Sequence, residues 1–205
     1  MASLDFSIPS EFKDQIQLVD HPEERSDGDL LQPLKAYQPI TSERNVWAFW
    51  HSGLTSMPPW CQRNVIDWIR ISGDSWIVRV LDAIPGSPNH FLNYVPAAML
   101  NNALVEGKMD GDYAGQHSCD LLRGACLYLY GGCFMDVGCI LIRDLDRICW
   151  SQLEDPDSPY QISTPWMYGL TIGNHFVASR KGDPFIKRWY ARDSIPCLRA
   201  DIRLT

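Results

Sequence analysis

Three side chains in the stretch SCDLLRGACLYLYGGCFMDVGCILI, residues 118–142, are suited to holding a polar, anionic ligand: Asp120, Arg123 and Asp136. Asp120 and Arg123 are three apart and so neighbours on one face of a helix. Asp136 ends an apolar run, where a carboxylate is costly without a partner. A guanidinium near two carboxylates can hold such a ligand, and an acid can fix a divalent cation against phosphate. A plainer reading stands beside this one: Asp120 in a first helical turn favours the helix dipole, and Arg123 pairs with it locally. Asp144 and Asp146, in IRDLDR, form an acid-x-acid pair, but they follow the strand into a loop and read as solvated or capping residues.

These residues need a frame. Ser118 is a plausible N-cap for a helix whose apolar side carries Leu121, Leu122, Ala125 and Leu129. Gly131 and Gly132 stop it and allow a tight turn that brings backbone near a ligand. Cys133–Asp136 and Cys139–Ile142 are strand-like. Upstream, NVWAFWH and SWIVRVLD read as strands around a helix with Cys61, Val65, Trp68 and Ile69 on its inner stripe. A helix can open at Pro96 and run through AAMLNNALVEG; downstream, YQIS and NHFVAS are short strands and Pro184–Tyr190 starts a helix. This alternation predicts an α/β sheet with helices on its faces, whose ligands bind beyond the carboxyl ends of the strands. Residues 1–44 are polar and aperiodic and are expected to form an extension, with order beginning at Asn45 and one domain over 45–205.

At 205 residues, 45% hydrophobic and 21% charged, the chain can bury a core. A net charge of −7 argues against a nucleic-acid partner, because phosphate backbones call for a basic face. No apolar run approaches the roughly 18–20 residues that cross a bilayer, and the amino terminus has no basic-then-apolar leader, so a cytoplasmic protein is expected. Seven cysteines, with no C-x-x-C pair, read as reduced thiols rather than a disulfide framework or zinc site. Cys119 and Cys126 read as helix packing. There is no phosphate-loop motif and no strand-linked G-x-G-x-x-G, which disfavours a nucleotide hydrolase or a dehydrogenase.

The joined block has the form D-hydrophobic-hydrophobic-R, then L-Y-x-Y-G-G, a hydrophobic pair, then Asp. It resembles the core of sugar-nucleotide glycosyltransferases of the capsular polysaccharide synthesis type, and of relatives with a sugar-binding region containing an Asp-x-Asp motif. The resemblance extends from NVWAFWHSG to GNHFVASRKGDPFIKRW, roughly residues 45–190. It implies a GT-A-like mixed α/β sheet and transfer of a sugar, with retention, from a nucleoside diphosphate donor to a glycan or other acceptor. By the same resemblance Asp120 and Arg123 contact the donor sugar, and Trp50 stacks on the base. Tyr130, Gly131 and Gly132 belong to the donor-binding block, Asp136 touches ribose, sugar or metal, and Asn174 and His175 face the acceptor.

Gly138 stands where the motif has its second acid, so the Mn²⁺ or Mg²⁺ implied by the family is expected to be weakly held, with Asp136 as its protein ligand. Residues 136 and 138 of an extended strand share a side, so an acid at 138 is expected to fall beside Asp136. The family usually continues well beyond DPFIKRWY, so the domain is expected to be incomplete at its carboxyl end. Both departures support an alternative: an inactive glycosyltransferase-like protein that binds a nucleotide sugar or a partner. No nucleophile–base pair stands out, which leaves positioning and electrostatics as the means of catalysis.

Overall fold

The computed structural model describes residues 25–194 and the single residue Ser10. Asn45–Phe49 (β1) and Ile77–Leu81 (β2) pair in parallel, and Gly132–Met135 (β3) joins β1 on its other edge, also in parallel. Every residue of β1 is buried, as expected of a central strand covered on both faces. Phe176–Ser179 (β7) runs antiparallel to β3, and Ile162–Ser163 (β4) antiparallel to β7, giving the order β2-β1-β3-β7-β4. Between β4 and β7, Trp166–Met167 (β5) and Thr171–Ile172 (β6) form a separate antiparallel hairpin. The expected mixed α/β sheet flanked by helices is the one observed.

Side-chain alternation along β1 divides the core in two. Val46 and Ala48 face a layer containing Val65 and Trp68 of helix α2 (Pro59–Ser72) and Trp150 of the turn of π-helix at Asp146–Trp150. Trp47 and Phe49 face Leu122, Cys126 and Leu127 of α4 (Ala114–Tyr130), together with Ile186 of α6 (Pro184–Ser194). Gly124 lets α4 and α6 close up: a Cβ there would lie 2.3 Å from Cβ of Tyr190.

Several local expectations are corrected. α4 starts at Ala114, four residues before Ser118, whose buried hydroxyl donates to the Ala114 carbonyl at 2.7 Å instead of capping. Asp120 is therefore not in a first turn. The segment after Pro96 is a 3₁₀ turn at Ala97–Met99 followed by a short α3 (Asn102–Val105) capped by Asn101. Residues 139–142 are not a strand, because the Cys139 N–H donates to the Asp136 carbonyl at 2.8 Å and turns the chain. Ser151–Glu154 (α5) continues from the π-helix. Asp144 accepts from the Arg147 N–H at 2.9 Å, the capping role read for it, whereas Asp146 is not solvated: it pairs with Arg44 at 2.5 Å and accepts from the Trp76 indole N–H at 3.3 Å.

Order begins well before Asn45. Helix α1 (Asp27–Leu31) has a reciprocal cap between Ser26 and Asp29, and Leu30 and Leu34 are buried. Buried Arg79 of β2 donates to the Gln38 and Pro39 carbonyls at 3.2 and 2.7 Å, fastening this segment to the sheet. The last part of the expected extension, residues 25–44, thus packs against the sheet.

Candidate active site

The turn from α4 into β3 fixes where the charged residues fall. Gly131 caps the helix at φ 68°, its N–H donating to the Leu127 carbonyl at 2.8 Å. Gly132 lies so near β1 that a Cβ would approach the Asn45 carbonyl oxygen to 2.2 Å. That contact pins β3 beside β1, and four residues later Asp136 emerges at the carboxyl end of the parallel strands. Trp50 and His51 emerge beside it from the end of β1.

Arg123 reaches across from α4. Its Nη1 donates to Asp120 Oδ1 at 2.6 Å and its Nη2 to Asp136 Oδ1 at 2.5 Å. The arginine side chain is 1% exposed, whereas the two carboxylates are 42% and 43% exposed. The cation is thus a buried clamp and the acids are the surface it presents. Its guanidinium also lies 5.1 Å from the Phe134 ring centroid and donates to Cys119 Sγ at 3.6 Å. Asn174 Nδ2 donates to Asp120 Oδ1 at 3.1 Å, and the Asp136 N–H donates to the His175 carbonyl at 2.8 Å.

Burial pushes the Asp136 carboxyl above its ordinary value, and the pull of Arg123 downward does not fully offset it. Burial also works against the Arg123 charge, but the Asp136 and Asp120 carboxylates around it hold its pKa above that of a free arginine. The Cys119 thiol is pushed up to about 12, chiefly by burial, so it is a neutral wall group rather than a thiolate nucleophile.

These residues line a cleft of about 330 Å³, together with Trp50, His51, Ser52, Gly115 and Gln116. Of the residues expected at a donor site, Trp50, Asp120, Arg123 and Asp136 are brought together. Tyr130, Gly131 and Gly132 are not: they lie at the opposite end of β3, about 13 Å away by strand rise. Tyr130 donates its hydroxyl to the Tyr94 carbonyl, and the two glycines bring backbone near Asn45 and Lys181 rather than near the cleft. Asn174 belongs to the Asp120 side, and His175 lies across Asp136 in a second groove. His51, Gln116 and Cys119 were not anticipated; their only sequence signal is proximity to Trp50 and Asp120.

No group of three His, Cys, Asp or Glu residues able to hold a metal occurs among the described residues. Asp120 and Asp136 each give Oδ1 to Arg123, which leaves Oδ2 of each unused by the guanidinium. This donor set fits a hard cation held mainly through phosphate oxygens, with one or two protein carboxylates, and not a preformed cage. Gly138 does not complete such a pair. Asp136–Cys139 is a turn rather than extended strand, and a Cβ at 138 would meet only the Trp60 ring, at 3.9 Å.

No protein-family model matches the chain. It is 50% identical over 185 residues to Probable glycosyltransferase FCK3 of Fusarium pseudograminearum, a match covering 90% of this chain and 47% of that protein. It is 45% identical over 174 residues to Glycosyltransferase afumC of Aspergillus fumigatus, and 42% over 175 to O-glycosyltransferase braB of Annulohypoxylon truncatum. Those matches cover 80% and 83% of this chain and 44% and 42% of the relatives. The chain spans a little under half the length of these proteins. Among solved structures, PaToxG Glycosyltransferase is similar with a TM-score of 0.51 at 15% identity, over 80% of this chain and 63% of that one. The fold is thus one that a glycosyltransferase carries, and most of this chain is similar in sequence to part of proteins named glycosyltransferases.

Proposed function

We propose that this chain carries the donor site of a glycosyltransferase that moves a sugar from a nucleoside diphosphate to an acceptor hydroxyl, with retention at the anomeric carbon. The observation that carries the reading is the Asp120–Arg123–Asp136 clamp, set at the carboxyl end of the parallel strands beside Trp50. Relatives named as O-glycosyltransferases support an oxygen acceptor. The reading places the chain with enzymes of the Asp-x-Asp kind, with Gly138 in place of the second acid, and in a reducing, cytosolic setting that suits its free thiols.

In this reading the base stacks on Trp50 and the sugar hydroxyls donate to Asp120. Arg123 acts through the carboxylates it holds, since its own surface is nearly all covered. Asp136 would hold a divalent cation, which when bound supplies neutralising charge to the diphosphate. The bond from the anomeric carbon to the diphosphate oxygen breaks, the acceptor oxygen bonds to that carbon, and the acceptor proton passes to the leaving diphosphate. Clamping both acids before the donor arrives removes their reorganisation from the reaction.

The test is a panel of nucleoside diphosphate sugars, with and without Mn²⁺, read by calorimetric binding and by release of nucleoside diphosphate. Saturable binding of at least one donor is expected. Absence of binding to every donor, from a chain shown to be folded, would overturn the proposal.

A further inference from the structure

A groove of about 730 Å³ opens on the far side of Asp136 and shares Asp136 and Gly138 with the cleft. We infer that this groove is the acceptor site, and that it takes an alcohol carried on an apolar body rather than a free sugar. The inference rests on the donor reading above and adds to it the place and chemical class of the second substrate.

The lining decides the class. Met135, Ile140, Leu141, Ile142, Ile148, Pro165 and Phe176 make the wall largely apolar, and among the described residues lining it Asp136 and His175 are the ionisable side chains apart from the Cys139 thiol. That thiol already donates to the His175 carbonyl at 3.3 Å, and the Thr164 hydroxyl to the Gly173 carbonyl. Ser163 is the one further hydroxyl in the lining, so few free polar groups remain to read the several hydroxyls of a sugar. An apolar body with one hydroxyl matches a greasy wall ending at a carboxylate and an imidazole. Ile140 and Ile142 are 77% and 87% exposed, because the Asp136–Cys139 turn throws the following segment off the sheet. Side chains of this kind contribute binding energy when a ligand covers them.

The groove adjoins the cleft at Asp136 and Gly138, so a hydroxyl at the end of an apolar occupant reaches the chemistry. Gly138 lies on the shared wall, and its φ is not in the left-handed region, so the backbone does not require glycine there. A Cβ there would meet the Trp60 ring at 3.9 Å, an ordinary contact.

The test uses the full chain and four probes followed by calorimetry or saturation-transfer NMR: 2-naphthaleneethanol, methyl mannoside, and the nucleoside diphosphates UDP and GDP. The alcohol is expected to bind saturably and methyl mannoside not to bind. The double variant Ile140→Asp/Ile142→Asp, at two exposed positions, should weaken the alcohol at least tenfold and leave nucleotide affinity and melting temperature unchanged. Equal alcohol binding by parent and variant would overturn the inference. So would nucleotide binding without alcohol binding, which leaves the donor reading intact, or methyl mannoside binding in place of the alcohol. If the variant instead abolishes a dimer seen in sedimentation and the alcohol never binds, the groove is an interface between copies. Loss of nucleotide binding in the parent itself would take down the donor reading and this inference with it.

Discussion

Arg123 donates to two acids while only 1% of its side chain is exposed, so its effect on a ligand passes through Asp120 and Asp136. Lysine at that position keeps the charge but loses the fork that spans both carboxylates. Arg123→Lys is expected to lower donor affinity at least tenfold and to cost about 1–3 kcal/mol of stability, read by calorimetry and urea denaturation. Retention of parental affinity would make the clamp merely structural. At Gly138, an added acid faces Trp60 rather than Asp136. Gly138→Asp is therefore expected to leave Mn²⁺ affinity in the presence of nucleoside diphosphate within about twofold of parent, a change of about 0.4 kcal/mol. A tenfold gain would mean that 138 does face the cation.

At the scale of elements, the central strands and the helix ending at Gly131 were legible because their signals are local. These are mostly apolar, aromatic and β-branched runs for β1 and β2, and a helical stripe closed by two glycines. Asp120, Arg123 and Asp136 were legible as a group because helical spacing and one tight turn nearly fix their relation. Other features depend on contacts that are distant in sequence. The packing of residues 25–44 rests on Arg79, dozens of residues away, so a polar composition read as an arm. Ser118 resembles a cap, but the helix gains another turn upstream. Gly131 and Gly132 read as ligand-facing because conformational freedom serves ligand approach and backbone approach alike; only the β1–β3 register shows which applies. Gly132→Ala is expected to cost at least about 2–4 kcal/mol, since its Cβ would approach the Asn45 carbonyl oxygen to 2.2 Å and its φ is 101°. A loss below about 0.5 kcal/mol in urea denaturation would show that the strands do not meet as described.

Across the whole molecule, one carboxylate joins the segment before β1 to the one after β7. Glu43 accepts from Arg180 Nε at 2.9 Å and from the Lys181 N–H at 2.8 Å. The Arg180 hydrogen bond is the foremost cause holding the Glu43 carboxyl below its ordinary value, with burial opposing. A folded pKa below the unfolded one gives stability that is present above the unfolded value of 4.5 and lost as pH falls through the folded value. Glu43→Gln should therefore melt lower than parent at pH 7, and the gap should close as pH drops below that value. A gap that persists unchanged at low pH would assign the effect to packing. No helix among the described residues is long and apolar enough to cross a membrane.

The proposed donor cleft is tested most directly by titrating the parent and Asp136→Ala with the nucleotide sugars, under conditions where both are shown to be folded. Asp136 follows β3, meets Arg123 and lines the cleft, so its removal unlocks the clamp. The expected result is saturable donor binding by the parent and a loss of at least tenfold in the variant. Parental affinity in Asp136→Ala would contradict the assignment of this cleft as the donor site.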